Sequence, residues 1–182
     1  MNIEYKKVID NSNLVAKPTY DYLINNFTVE ELENVFVFEI DKQYMGGLEL
    51  CDHYGINPKI GVNCLICECK RNDDVKYAAL LVPTGYRYNM SSVVRKHTNS
   101  RMVSVAPLDY VLNDTRMEYG SINPIGLPNS WKIYIDPLVL ENDMIVCGSG
   151  IQNSKLYLPS KYLLKLNNIE VLEDLAKGDK NE

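Results

Sequence analysis

No apolar run in this chain approaches the ~20 residues that a membrane-crossing helix needs. Met1 to Asp10 holds two lysines and no apolar h-region, so an export signal is not expected and a cytoplasmic protein is. Histidine is nearly missing: His53 and His97 are the only two in 182 residues. Both fall on helical patterns, and a structural role is expected for each. No serine sits in a G-x-S-x-G elbow, and Ser121 and Ser149 have no histidine nearby in sequence, so the signature of a serine hydrolase is missing. No internal repeat and no low-complexity segment is visible, so neither a solenoid nor a biased tract is expected.

Cysteine is present in odd number: Cys51, Cys64, Cys67, Cys69 and Cys147. In a reducing compartment these read as buried thiols rather than bridges. A zinc site from Cys64-x-x-Cys67 is disfavoured. Residues three apart on a strand point to opposite faces, and two more ligands would be needed. No metal site is expected from these cysteines.

The net charge of −5 argues against non-specific binding of nucleic acid. The charge is uneven. Residues 1–50 hold nine acids and four bases, residues 51–105 four acids and eight bases, and residues 106–182 eleven acids and seven bases. Arg87, Arg95, Lys96 and Arg101 occur with no acid between Thr84 and Val105. Lys70, Arg95, Lys96 and Arg101 are therefore candidate phosphate contacts, against the alternative of a solvated face.

The length suits one domain that buries roughly 70% of its unfolded surface. Pro18 opens a short helix through Ile24, and Val35 to Ile40 reads as a strand. Tyr44, Leu48, Cys51 and Gly55 suit a helix with a glycine C-cap, weakened by Gly46 and Gly47. Ile60–Lys70 and Val75–Val82 form a hairpin about Arg71-Asn72-Asp73-Asp74. Both strands are apolar on both faces, as in the middle of a covered sheet or barrel. Asn89 is placed to cap a helix carrying Met90, Val93, Val94 and His97. Met102–Val105 is a strand, and Pro107 opens a helix through Leu112. Three further strands follow at Lys132–Ile135, Met144–Cys147 and Lys155–Leu158. Pro159 opens a last helix through Leu166, and Asp174 to Glu182 reads as a frayed charged tail. The order predicts an α+β fold with a mixed sheet.

The most informative stretch is Gly120-Ser121-Ile122-Asn123-Pro124-Ile125-Gly126-Leu127-Pro128. Two glycines and two prolines fix a stiff loop that can present backbone N–H groups to an oxyanion or a phosphate. The competing reading is a structural turn.

Three pieces together resemble the YbaK-type aminoacyl-tRNA deacylases, the prolyl-tRNA-synthetase-associated editing domains. They are the strand Val62-Asn63-Cys64-Leu65-Ile66, the loop Gly120 to Gly126 (G-x-x-x-P-x-G), which looks like the family's glycine-proline loop, and the turn Val146-Cys147-Gly148-Ser149-Gly150. The motif-bearing core is about residues 56–166 of a single domain spanning 1–182, with 1–55 an N-terminal extension. The resemblance implies a barrel-like curled mixed sheet with flanking helices. It implies hydrolysis, in trans, of the ester joining a wrong amino acid to the 3′ end of a tRNA, without metal or organic cofactor. The implied partners are the aminoacyl-tRNA 3′ end and an aminoacyl-tRNA synthetase. It places Asn63, Gly120, Ser121 and Gly126 in catalysis, and Cys64, Ile122, Asn123, Pro124, Gly148, Ser149 and Gly150 around the substrate. Where the family has a lysine this chain has Asn63, which donates hydrogen bonds but supplies no charge. Losing one charge-assisted bond costs on the order of 1.5–3 kcal/mol. A non-catalytic module binding an amino acid or the tRNA end is therefore the alternative. In that case Asn63→Lys is expected to restore some hydrolysis. A cysteine-based redox or metal protein is the third reading.

Overall fold

The computed structural model describes residues 3–178. In chain order its regular elements are β1 (Lys6–Lys7), α1 (Lys17–Asn26), α2 (Val29–Leu32), β2 (Phe36–Glu39), α3 (Gly47–Tyr54), β3 (Val62–Arg71), β4 (Asp74–Pro83), β5 (Arg87–Tyr88), α4 (Arg95–His97), β6 (Met102–Val105), α5 (Leu108–Thr115), β7 (Lys132–Ile135), α6 (Pro137–Leu140), β8 (Met144–Gly148), β9 (Ser154–Pro159), β10 (Ile169–Val171) and β11 (Ala176–Lys177). One sheet runs β1-β2-β9-β8 and is antiparallel throughout. A second runs β10-β7-β4-β3-β6 and is mixed, because β7 lies parallel to both β4 and β10, and β11 and β5 make a small third sheet. The first two sheets meet at a single parallel bridge between Gly61 and Val146 rather than closing a continuous barrel.

The β3–β4 hairpin forms the spine. Arg71 pairs with Asp74, so Asn72 and Asp73 make the turn, and Asn72 takes φ 55, a region asparagine tolerates. Alternation sends Val62, Cys64 and Ile66 into the main core with Leu81, Ile135 and Leu156. Cys67 and Cys69 face the second cluster with Leu80, Val82, Val94 and Leu175. Both faces are covered, which is why both strands are apolar on both sides. Cys64 and Cys67 accordingly lie in different clusters.

Four local expectations are revised. The two glycines do not interrupt α3. A 3₁₀ turn at Lys42–Tyr44 precedes it, Gly46 is its N-cap, and Gly55 ends it at φ 68. Asn89 does not cap a helix. Its side chain donates to the Asp174 carbonyl, and Val94 N–H reaches back to Asn89, making a π turn over Met90–Val94 before α4. The segment Ser160–Lys165 is 3₁₀ rather than α. The tail is ordered beyond Asp174: Leu175 is fully buried, β11 pairs with β5, and Ala176 N–H donates to Asp136 Oδ2 at 2.6 Å. The rest of the expected tail, 179–182, lies outside the described residues.

Candidate functional site

After the Gly61–Val146 bridge the pairing of β3 with β8 does not continue. The fork holds a cavity of about 420 Å³. Its walls come from the start of β3, the end of β8, the first turn of α3, the β6–α5 junction and the loop after Glu118. Of the residues predicted for the site, Asn63, Cys64, Gly120, Ile122 and Gly148 line it.

Asn63 packs against the start of α3. A Cβ on Gly47 would meet its Oδ1 at 3.3 Å, so glycine there lets the carboxamide approach the helix. Thr84 Oγ1 contacts Asn63 Oδ1 at 3.5 Å, while Nδ2 has no protein partner among the described residues. The amides of Gly120 and Ile122 likewise have no hydrogen-bonded protein partner among the described residues. These are donors that β3 and the loop offer to the cavity.

The other predicted loop residues are off the cavity wall. The Ser121 amide donates to the Glu118 carbonyl, and its buried Oγ has no partner among the described residues. Asn123 is fully buried. Its Nδ2 donates to Thr19 Oγ1 at 3.0 Å, and its Oδ1 accepts from Ile125 N–H at 2.8 Å. Pro124 follows on the same buried path, away from the cavity. Gly126, at φ 85, abuts the Pro18 carbonyl, which a Cβ would approach to 2.4 Å. Ser149 Oγ is held by Ser154 and Ile151, and Gly150 exchanges backbone bonds with Ser121 and Glu118. These residues set the shape of the loop instead of touching what it encloses. Asn123→Ala leaves the buried Ile125 N–H unpaired and removes one of the two bonds of Thr19 Oγ1, together a loss of about 3 kcal/mol. The expected melting temperature falls by about 6–12 °C in thermal denaturation. An unchanged midpoint would mean that the loop is held some other way.

The basic residues lie elsewhere. Lys70 is seven positions along β3 from Asn63, roughly 23 Å away. Its Nζ pairs with Glu68 Oε1 at 2.6 Å. Arg101 N–H bonds the Lys70 carbonyl, and Arg95 Nε bonds Ser91 O. Lys96 shares the short α4 with Arg95. The histidines do not line the cavity either: His53 stacks on Tyr44 at 3.7 Å, and His97 contacts Glu170 Oε1 at 3.0 Å. Asp136 caps α6 and ties down the tail.

Sequence reasoning missed several cavity residues. Cys147, Ala106, Val111, Tyr88 and Lys155 line it, as do Gly46 and Gly47. Burial pushes the Cys147 thiol up to about 12, partly offset by the Lys155 ammonium. Burial raises Cys64 further, with Cys147 adding to it. Neither is a thiolate near neutral pH, so a cysteine nucleophile has no support. Tyr88 is raised by burial first and by Cys64 second. Tyr119, 59% exposed, stands at the rim.

A family model described as the aminoacyl-tRNA editing domain matches residues 46–166. No curated protein matches the chain. Among solved structures, one described as a hypothetical protein aligns with TM-score 0.74 at 17% identity, covering 88% of this chain and 100% of that one. Another, described as a candidate trans-editing enzyme for prolyl-tRNA synthetase, aligns with TM-score 0.71 at 17% identity, covering 89% and 99%. A third, an epitope-grafted scaffold, aligns with TM-score 0.70 at 16% identity, covering 87% and 97%. At these identities the structures share the fold.

Proposed function

This chain belongs to the aminoacyl-tRNA editing domain family, and on that premise we propose that it hydrolyses, in trans, the ester of an aminoacylated tRNA 3′ end. The observation that carries this reading is the cavity itself. It is about 420 Å³, within the range of small-ligand sites, and is bounded by the uncommitted amides of Gly120 and Ile122 with Asn63 at its α3 wall. The ester carbonyl would sit against those two amides, which stabilise the oxyanion that forms as water adds. A neighbouring ribose hydroxyl on the substrate would position the water, so no protein base is required. The carbonyl then re-forms and the ribose oxygen leaves with a proton. Asn63 Nδ2 would donate to the terminal ribose. Tyr119 is placed to stack on the terminal adenine, a contact worth about 1–3 kcal/mol per base. Cys64, Ala106, Val111 and Cys147 form an apolar wall suited to a small aminoacyl side chain. Lys70, Arg95, Lys96 and Arg101, at the far end of β3, would meet the body of the tRNA rather than the ester.

Incubation with Ala- and Cys-charged tRNA(Pro), then with a panel of other charged tRNAs, tests the proposal by following the ester. Loss above the buffer rate is expected for at least one. Loss no faster than buffer across the panel ends the enzyme reading. Because the lining has neither a carboxylate nor an imidazole, binding of charged tRNA without turnover would select the second reading, a non-catalytic module.

A further inference from the structure

Lys155 is 5% exposed, lies on β9 between Ser154 and Leu156, and lines the cavity. Lysine is almost never this buried without a partner. Here no carboxylate and no hydrogen bond meets its ammonium among the described residues, and its one electrostatic neighbour is the Cys147 thiol. Lys155 is the only Lys, Arg, His, Asp or Glu on the cavity wall among the described residues. The wall has no Asp or Glu, and Glu49 in the first turn of α3 is not part of it. Register places it there. Lys155 pairs with Gly148 at the end of β8, and both residues line the fork where β8 and β3 part. The α3 N-terminus faces the same space through Gly46 and Gly47, with no side chain capping it, so its free amides also favour negative charge.

We propose that Lys155, with the first amides of α3 and the Asn63 carboxamide, forms an anion-binding subsite that takes an oxyanion of the ligand. This deepens the proposed function and rests on it for the ligand class. Two parts of an aminoacylated 3′ end carry such chemistry: the phosphate of the terminal nucleotide, and a carboxylate on an acidic aminoacyl side chain. Burial lowers the pKa of Lys155, and an anion seated beside it would raise it again. The subsite supplies a cation to the cavity from β9, where the resemblance leads one to look for it on β3.

The test uses the whole chain and two matched pairs of probes, adenosine 5′-monophosphate against adenosine, and aspartate against asparagine, titrated by calorimetry. In the wild type at least one anion is expected to bind tenfold or more tightly than its neutral partner, and the pair that shows it identifies the source. Lys155→Met keeps the stem and removes the charge. It is expected to bring that ratio close to one, while Lys155→Arg retains part of it. The ¹³Cε resonance of Lys155, read in the unmutated protein, is expected to shift on saturation with the preferred anion, which keeps the test independent of how the variants fold. No preference in the wild type, a preference that survives Lys155→Met, or an unmoved resonance overturns the proposal. Binding needs no turnover, so anion preference without ester hydrolysis removes the deacylase reading alone. Hydrolysis without anion preference removes this inference alone.

Discussion

Gly148→Ala is expected to lower kcat/KM on any charged tRNA the protein hydrolyses by about 100-fold. The backbone at Gly148 does not need glycine, since its φ is not in the left-handed region. What needs glycine is the loop packed on it. A Cβ there would lie 2.3 Å from the Ser121 carbonyl oxygen, 2.8 Å from its carbon and 3.0 Å from the Ile122 oxygen, all main-chain atoms. The strand cannot give way easily, because Gly148 is paired to Lys155. The loop must therefore move by about 1 Å, and it carries the Gly120 and Ile122 amides. A displacement of that size at a positioning group costs about 10²-fold. Folding should suffer less, about 1–3 kcal/mol, as for other overpacked sites. Gly55→Ala is the control. Its Cβ meets nothing within 4 Å but its φ of 68 is strained, so about 1 kcal/mol of stability and no activity should be lost. Full turnover in Gly148→Ala, with the fold intact, would show that the loop amides do not act on the substrate.

Some of this architecture was legible residue by residue. The hairpin was, because two long apolar runs flank a four-residue polar break, and a sheet covered on both faces leaves no other reading. The glycine-proline loop was visible as a loop, but not which of its atoms would face the ligand. Asn123 looks like a ligand-selecting residue in sequence. Its partners are Thr19, 104 positions away, and Ile125, and nothing local announces the first. Lys155 was the larger miss. In Lys155-Leu156-Tyr157-Leu158 the lysine alternates with core leucines and reads as the solvated side of a strand. It lines the cavity because β8 parts from β3 there and because α3 roofs the space. Both are tertiary facts. The same limit applied to the tail, which Asp136 anchors from 40 positions away.

Asn63→Lys, the substitution the family pattern invites, is expected to give little hydrolysis by itself and to cost about 1–2 kcal/mol of stability. Asn63 and Lys155 both line this one cavity, as does Gly148, the strand partner of Lys155. Two ammonium groups in one desolvated cavity with no carboxylate on its wall repel by about 2 kcal/mol at an effective dielectric near 20. Among the other groups on the wall, Cys51, Cys64, Cys147 and Tyr88 are all pushed up by burial, so they offer no countercharge. The pH dependence has a definite sign. Lys155 already has a folded value below the 10.5 of the unfolded chain. The unfolded state therefore binds more protons, and stability rises with pH toward 10.5. Asn63→Lys should deepen that slope, and Asn63→Lys with Lys155→Met should flatten it. The double variant removes the repulsion while keeping a cation at position 63, and is expected to exceed the wild type in kcat/KM by about 10–100-fold. The cycle of four proteins should show a coupling above about 1 kcal/mol in stability. Additive effects, with Asn63→Lys as active as the double variant, would mean that the two positions do not share one field. The cation of this cavity would then have to come from β3 after all.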